Sequence, residues 1–360
     1  LEGEASLETT ATGTCLVYGA NGFTGRRIAA EAAARGLRPL LAGRDAAKIE
    51  PLAAELNCAS RVFSLTTPAK IAAQLAGVAA VLHCAGPFSA TAAPMMDACL
   101  AAGVHYLDIT GEIDVIESAA GRHERAVAAG ITLLPAVGMD VVPSDCLAAR
   151  LAQQLPNAVK LELAFAGMLS ISHGTAATIW ENVGRGGRIR RAGRIVRVPV
   201  AWKTQQIPFQ RGPQGAMTIP WGDVASAFHT TGIPDIEVYA AMPGGQLKVL
   251  RVFRWLAPLA GLTAVQMAGR WWIDRRVRGP GADELRQGRT EFWGRVTDAA
   301  GRSVEATLET PNGYTLTVQA SLAIVQQVLA GRVRPGFCTP ALALGAEFIE
   351  TLPDVVFRRR

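Results

Sequence analysis

From Gly13 to Pro143, short apolar runs alternate with longer stretches in which apolar positions return at helical spacing, the cadence of repeated βα units. The runs Cys15–Tyr18, Pro39–Ala42, Arg61–Ser64, Ala80–Cys84, His105–Ile109 and Ile131–Pro135 predict strands. Helical spacing is clearest over Ile28–Ala34, Ile71–Leu75 and Ala92–Ala102. Strands joined through helices run parallel, so this part predicts an α/β, doubly wound parallel sheet over residues 13–145. Its ligand edge is the carboxyl ends of the strands.

The texture changes after Asp145. Val159–Phe165 reads as a strand, and Thr290–Val296, Val304–Glu309 and Tyr314–Gln319 read as consecutive antiparallel strands. Turns at Ala299-Ala300-Gly301-Arg302 and Pro311-Asn312-Gly313 would join them. These features predict a second, α+β domain over 146–334 with a mixed or antiparallel sheet, carrying substrate and oligomer contacts such as those of a homodimer. Helices are expected over Ala320–Ala330 and Pro340–Leu352, and residues 335–360 are expected to pack back on the first domain.

The first strand runs into Gly19-Ala20-Asn21-Gly22-Phe23-Thr24-Gly25 and then a helix. Strand, glycine turn and helix together make a phosphate cradle, because glycines allow a tight turn and the first helical amides face an anion. A glycine-rich turn in some other doubly wound protein is the alternative. The second strand ends Leu41-Ala42-Gly43-Arg44-Asp45. Arg44 can pair with a ribose 2′-phosphate and Lys48 adds a second cation, whereas Asp45 either selects the unphosphorylated ribose or caps the next helix. The balance favours NADP(H) over NAD(H). Cys84-Ala85-Gly86-Pro87, at the end of the fourth strand, is placed either at the edge of the nicotinamide half or as a plain βα turn.

At 360 residues the chain can hold two domains. A net charge of +6 suits an anionic ligand, but no zinc-finger spacing or basic helix with interleaved aromatics supports nucleic acid. Scattered cysteines without a C-x-x-C pair, and isolated histidines, point to a reducing cytoplasm and argue against a metal site. Residues 1–12 lack apolar periodicity, and no secretory signal is read there.

Taken together, GANGFTG, Ala42-Gly43-Arg44-Asp45, Cys84-Ala85-Gly86-Pro87-Phe88, Tyr106-Leu107-Asp108-Ile109-Thr110-Gly111-Glu112 and Val137-Gly138-Met139-Asp140-Val141-Val142-Pro143-Ser144-Asp145 resemble the saccharopine dehydrogenase-like family. More narrowly, they are similar to its branch of trans-acting enoyl reductases. His173-Gly174-Thr175-Ala176 and Cys338-Thr339-Pro340-Ala341 extend the resemblance. It implies a Rossmann-type NAD(P)-binding domain, a second domain covering the nicotinamide, and hydride transfer to a C=C or C=N bond of an acyl or amino-acid-like substrate. The middle of the chain lacks a dicarboxylate-binding signature, which counts against true saccharopine chemistry, and a saccharopine-type amino-acid dehydrogenase stands as the alternative. A non-catalytic NADP(H)-binding protein on a lipid surface is a rival of a different class.

Candidates for proton transfer lie where the fifth and sixth strands end: Asp108, Thr110, Glu112 and Asp140, then Ser144 and Asp145. Each competes with a role in capping helices and tying loops. His173 and Thr175 read as a helix start that either points amides at an anionic group or is simply capped. The arginines of Arg185–Arg197 form a solvated basic face or a docking surface for an acyl carrier protein or coenzyme A phosphates. Leu247–Val277, with Trp255, Trp271 and Trp272 among arginines, is too short and Pro-interrupted to span a membrane. It reads as a core or dimer segment, or as a peripheral lipid contact.

Overall fold

A computed structural model of the chain describes residues 13–167, 171–183, 186–242, 245, 262–277 and 279–359. The first six strands are β1 (Thr14–Tyr18), β2 (Leu40–Gly43), β3 (Ser60–Val62), β4 (Val78–His83), β5 (His105–Asp108) and β6 (Thr132–Leu134). They alternate with α1 (Phe23–Ala34), α2 (Ala46–Glu55), α3 (Pro68–Ala73), α4 (Phe88–Ala102), α5 (Ile113–Ala120) and α6 (His123–Ala128). Every pairing is parallel, in the order β3-β2-β1-β4-β5-β6. This is the doubly wound sheet that the apolar runs predict. Leu16, Val17, Leu41, Val81, Leu82, Leu107 and Leu133 are fully buried, because helices cover both faces of such a sheet and leave no strand face for polar residues.

α7 (Val142–Gln154), started by Pro143 in its first turn, carries the chain into a second, mixed sheet. Its strands are β7 (Ala158–Ala166), β8 (Gly187–Arg191), β9 (Arg194–Val198), β10 (Thr204–Phe209), β11 (Gly212–Thr218), β12 (Asp235–Ala241), β13 (Arg289–Asp298) and β14 (Ser303–Pro311). The helices α8 (His173–Val183) and α9 (Asp223–Thr231) lie among them. Only β12 and β7 pair in parallel; the other neighbours are antiparallel. α7 packs on β13 so closely that a Cβ at Gly294 would sit 2.7 Å from Leu151.

The terminal segment divides between the two sheets. β15 (Gly336–Phe337) adds a seventh parallel strand beside β6, whereas β16 (Val356–Arg359) extends the second sheet beside β14. Between them, Pro340–Leu344 is helical, capped by the Thr339 hydroxyl, and Phe348–Thr351 forms a 3-10 turn.

One expected strand is a helix. Tyr314–Gln319 opens the helix Gly313–Leu329, and Pro311-Asn312-Gly313 is its start rather than a hairpin turn. The Asn312 side chain accepts the Tyr314 amide at 3.0 Å, the geometry of an N-cap. Leu316, Ala320, Ile324, Val325 and Val328 then line a buried helical face, which packs on α1 and β4. One continuous apolar core therefore runs from the first sheet through Leu134–Val142 into the second.

Candidate functional site

The order of the first sheet reverses between β1 and β4, and the loops leaving those strands meet there. Gly19, with φ +83°, turns the chain at the end of β1 and lies against Ala85, where a Cβ would come within 2.8 Å. Gly25 sits in α1 over the carbonyl of Gly19; a Cβ there would be 2.3 Å from that oxygen. Asn21 approaches Gly43 at the end of β2. No side chain caps α1 at Gly22 and its first turn carries no acid. The first-turn amides have no intrahelical partner, the general geometry in which a helix start can receive an anion. Phe23 and Thr24 are half-buried beside it, and Arg27 is drawn away to the Phe23 carbonyl (2.8 Å) and ring (3.7 Å).

Arg44 follows Gly43 directly, exposed, with no carboxylate paired to it among the described residues. Asp45 stands at the N-cap position of α2, but its side chain makes no cap bond. It pairs with Lys48 at 3.1 Å, which offsets the second cation. In the turn after β4, Cys84 and Ala85 are half-buried, Gly86 is exposed and Pro87 precedes α4. Burial pushes the Cys84 thiol well above its ordinary range, so it is not a thiolate nucleophile.

The four candidate proton-transfer residues have different surroundings. Asp108 is fully buried and accepts from Tyr106 Oη (2.7 Å), the Thr110 amide (2.9 Å) and the Ala136 amide (2.8 Å). Burial raises its pKa to about 6, against those three bonds. It ties the end of β5 to the loop after β6. Thr110 Oγ1 accepts the Glu112 amide at 3.0 Å. The two carboxylate oxygens of Glu112 accept the Phe88 and Ser89 amides (2.9 and 2.8 Å), closing the first turn of α4. Asp140 differs. Its carboxylate lies over Gly111, where a Cβ would be 3.1 Å from Oδ2, and takes no hydrogen bond from the described residues. Burial alone pushes its pKa up to about 7.

Ser144 and Asp145 begin α7 but are buried. Asp145 accepts from Thr230 Oγ1 (2.6 Å) and the Ala341 amide (2.8 Å), tying α7 to α9 and the terminal segment. Asp223, on α9, is also buried and held well above the carboxylate range, first by burial and further by Asp145 and Asp140.

On the second-domain side, Ser172 Oγ accepts the Thr175 amide at the start of α8. The Tyr314 hydroxyl accepts the Ser172 amide, and its ring packs edge-on against Phe23 of the glycine turn at 5.0 Å. Tyr314 and Trp221, whose indole donates to the Asp140 carbonyl at 2.7 Å, escaped the sequence reading. For Tyr314 the signal was Asn312 as a helix cap. The basic stretch is not uniformly solvated: Arg190 is buried, bonded to Val224 O (2.9 Å), Gly193 O (2.8 Å) and Glu117. Arg188 pairs with Asp114, whereas Arg191, Arg194 and Arg197 are exposed. Arg185 and residues 247–261 of the tryptophan-rich segment lie outside the described residues.

Comparison with known proteins gives this geometry a class. Residues 15–134, which span β1 to β6, match the family model described as the saccharopine dehydrogenase NADP binding domain. Across nearly the whole chain the fold is that of a saccharopine dehydrogenase (L-Glu forming) from Saccharomyces cerevisiae. The TM-score is 0.66, with 97% of this chain and 99% of that one covered at 11% identity.

The curated relatives are more specific in name. A putative trans-acting enoyl reductase of Mycobacterium tuberculosis is 31% identical over 138 residues, 36% of this chain and 33% of that protein. A trans-acting enoyl reductase of Mycobacterium leprae is 30% identical over the same length, again 36% of this chain and 33% of that one. The match thus spans about a third of the length of these relatives.

Proposed function

We propose that the protein is an NADP(H)-dependent oxidoreductase that reduces a C=C bond in an acyl thioester, with a C=N bond of an amino-acid-like substrate as the related alternative. The observation that carries this reading is the glycine turn at the β1/β4 crevice, with Arg44 exposed at the end of β2 and Asp140 lying over Gly111 in the loop after β5.

Gly19, Gly22 and Gly25 would cradle the pyrophosphate with Asn21, Phe23 and Thr24, and Arg44 would read the 2′-phosphate, aided by Lys48. Cys84-Ala85-Gly86-Pro87 would border the nicotinamide half. When bound, NADPH supplies the hydride. Asp108, Thr110 and Glu112 act as positioning residues, because their polar atoms hold the loops after β4, β5 and β6 in register. Asp140 acts as the acid. A carboxyl held protonated up to about pH 7 gives its proton to the α-carbon as hydride arrives at the β-carbon, and regains it from water. Tyr314 and the start of α8 close the crevice from the second domain and limit water around the reacting atoms.

The enoyl substrate is favoured because its named relatives are enoyl reductases at about three-tenths identity, whereas the saccharopine dehydrogenase likeness is one of fold. The exposed Arg191, Arg194 and Arg197 suit an acidic acyl carrier protein. NADPH consumption measured against enoyl thioesters and cyclic imines tests the assignment. Turnover of enoyl thioesters supports it, turnover of imines alone moves it to the amino-acid branch, and tight NADPH binding without turnover on either makes the protein a nucleotide sensor.

A further inference from the structure

The helix Thr263–Arg276 turns its inner face to α8. Gly269 meets the Trp180 indole so closely that no Cβ fits, and Trp180 Nε1 donates to the Gln266 carbonyl at 3.2 Å. Gln266 returns a bond from its side-chain amide to the Trp180 carbonyl, and Ile273 is buried on the same side. The outer face carries large apolar side chains in water: Met267 is 69% exposed, Trp271 57% and Trp272 56%. At about 100° per residue these fall in one arc with the exposed Ala264 and Ala268. Arg270 and Arg276 border the arc, and Arg275 lies over the Trp271 ring at 4.1 Å. The helix's one acid, Asp274, bonds His173 at 2.7 Å.

We propose that this outer face docks on an anionic lipid surface. Tryptophans within an exposed apolar arc suit the headgroup boundary, and arginines within it (Arg275) and along its borders (Arg270, Arg276) suit anionic headgroups. Self-pairing of two copies fits less well. An isologous contact through this face sets Arg270, Arg275 and Arg276 of one copy against the same residues of the other. None of the described helices is long and apolar enough to cross a membrane.

Through α8, Ser172 and Tyr314, the helix connects to Phe23 in the glycine turn. Resting on the proposed function, this brings a long-chain acyl substrate to the crevice from the lipid side. The lipid contact itself is read without turnover, so its failure is distinguishable from failure of the enzymatic reading.

The test is flotation of the whole chain with vesicles of phosphatidylcholine alone and of phosphatidylcholine with one third phosphatidylglycerol. The protein should float with the anionic vesicles and remain behind with the neutral ones. Trp271→Ala/Trp272→Ala should abolish flotation, and Arg270→Ala/Arg275→Ala/Arg276→Ala should lower partitioning by about two orders of magnitude. Retained NADPH binding reports that each variant is folded. If a variant does not fold, quenching of the wild-type tryptophan fluorescence by brominated lipid in the anionic vesicles decides, and absence of quenching overturns the proposal. It is overturned equally if the wild type does not float, or if the double tryptophan variant floats as well as the wild type. A tryptophan-dependent dimer in sedimentation velocity, without flotation, assigns the face to a second copy instead.

Discussion

Replacing Arg44 by aspartate isolates the 2′-phosphate from the rest of the cofactor. The guanidinium is exposed at the carboxyl end of β2, directly after the buried Gly43 on which Ile49 and Asn21 pack, and no carboxylate pairs with it among the described residues. Lys48, one turn away, is already paired with Asp45 at 3.1 Å, so it compensates only in part. A hydrogen bond to a charged group contributes about 1.5–3 kcal/mol, and an exposed position favours the lower part of that range. Adding the like-charge repulsion of the new carboxylate gives about 2–3 kcal/mol, a roughly 30- to 150-fold rise in the NADPH dissociation constant. NADH carries a diol there, from which the introduced carboxylate can accept hydrogen bonds, so its constant should hold or fall. Calorimetric titration of both cofactors at two salt concentrations reads the effect, with the wild-type preference narrowing at high salt. Equal losses for NADPH and NADH would refute the assignment of Arg44 as the phosphate reader.

Other substitutions probe the neighbouring contacts. Gly25→Ala places a methyl against the Gly19 carbonyl, a clash between backbone-fixed atoms. It should cost about 1–3 kcal/mol of stability and remove the melting-temperature rise that NADPH gives the wild type; an unchanged rise would show that the turn does not hold the cofactor. Asp108→Ala removes the acceptor of two backbone N–H groups and of the Tyr106 hydroxyl, and should lower stability by about 2–4 kcal/mol in urea titration. Lost turnover with unchanged stability would instead make Asp108 a catalytic residue.

Asp140→Asn should remove the alkaline fall in kcat that begins near pH 7 in the wild type, while leaving a slow, pH-independent rate. The same carboxyl gives a stability signature. Its pKa is about 7 folded against an ordinary 3.8, so between those values the native state binds the extra proton. Stability from this group is therefore greatest below the unfolded value and declines as pH rises toward 7. The asparagine variant should gain on the wild type across that window, and parallel stability curves would contradict the burial of the charge.

The first domain was legible because its signals are local. A strand buried on both faces is a continuous apolar run, and the turn after β1 places its glycines within one βα unit. The second sheet was less so. Thr204–Phe209 and Gly212–Thr218 are rich in Gln, Gly and Pro and show no alternation, although they pair in register as a hairpin. Tyr314, Leu316 and Val318 alternate as in a strand, but Asn312 and the longer apolar spacing through Val328 settle a helix. In the site, the positions of Asp108 and Glu112 could be read from strand ends. Their partners could not, because Ala136, Phe88 and Ser89 are brought to them only by the tertiary fold. Arg190 looked like part of a basic surface for the same reason: Glu117 and the Val224 carbonyl that bury it lie far away in the chain.

The central claim, hydride transfer from NADPH to an acyl C=C bond in the β1/β4 crevice, is tested most directly with NADPH deuterated at C4 on either face. The protein is incubated with an enoyl thioester and the product examined by mass spectrometry. One deuterium in the saturated thioester, from one face of the cofactor only, is the predicted result. Tight binding of NADPH with no deuterium in any product, from thioesters on coenzyme A or on an acyl carrier, would contradict it.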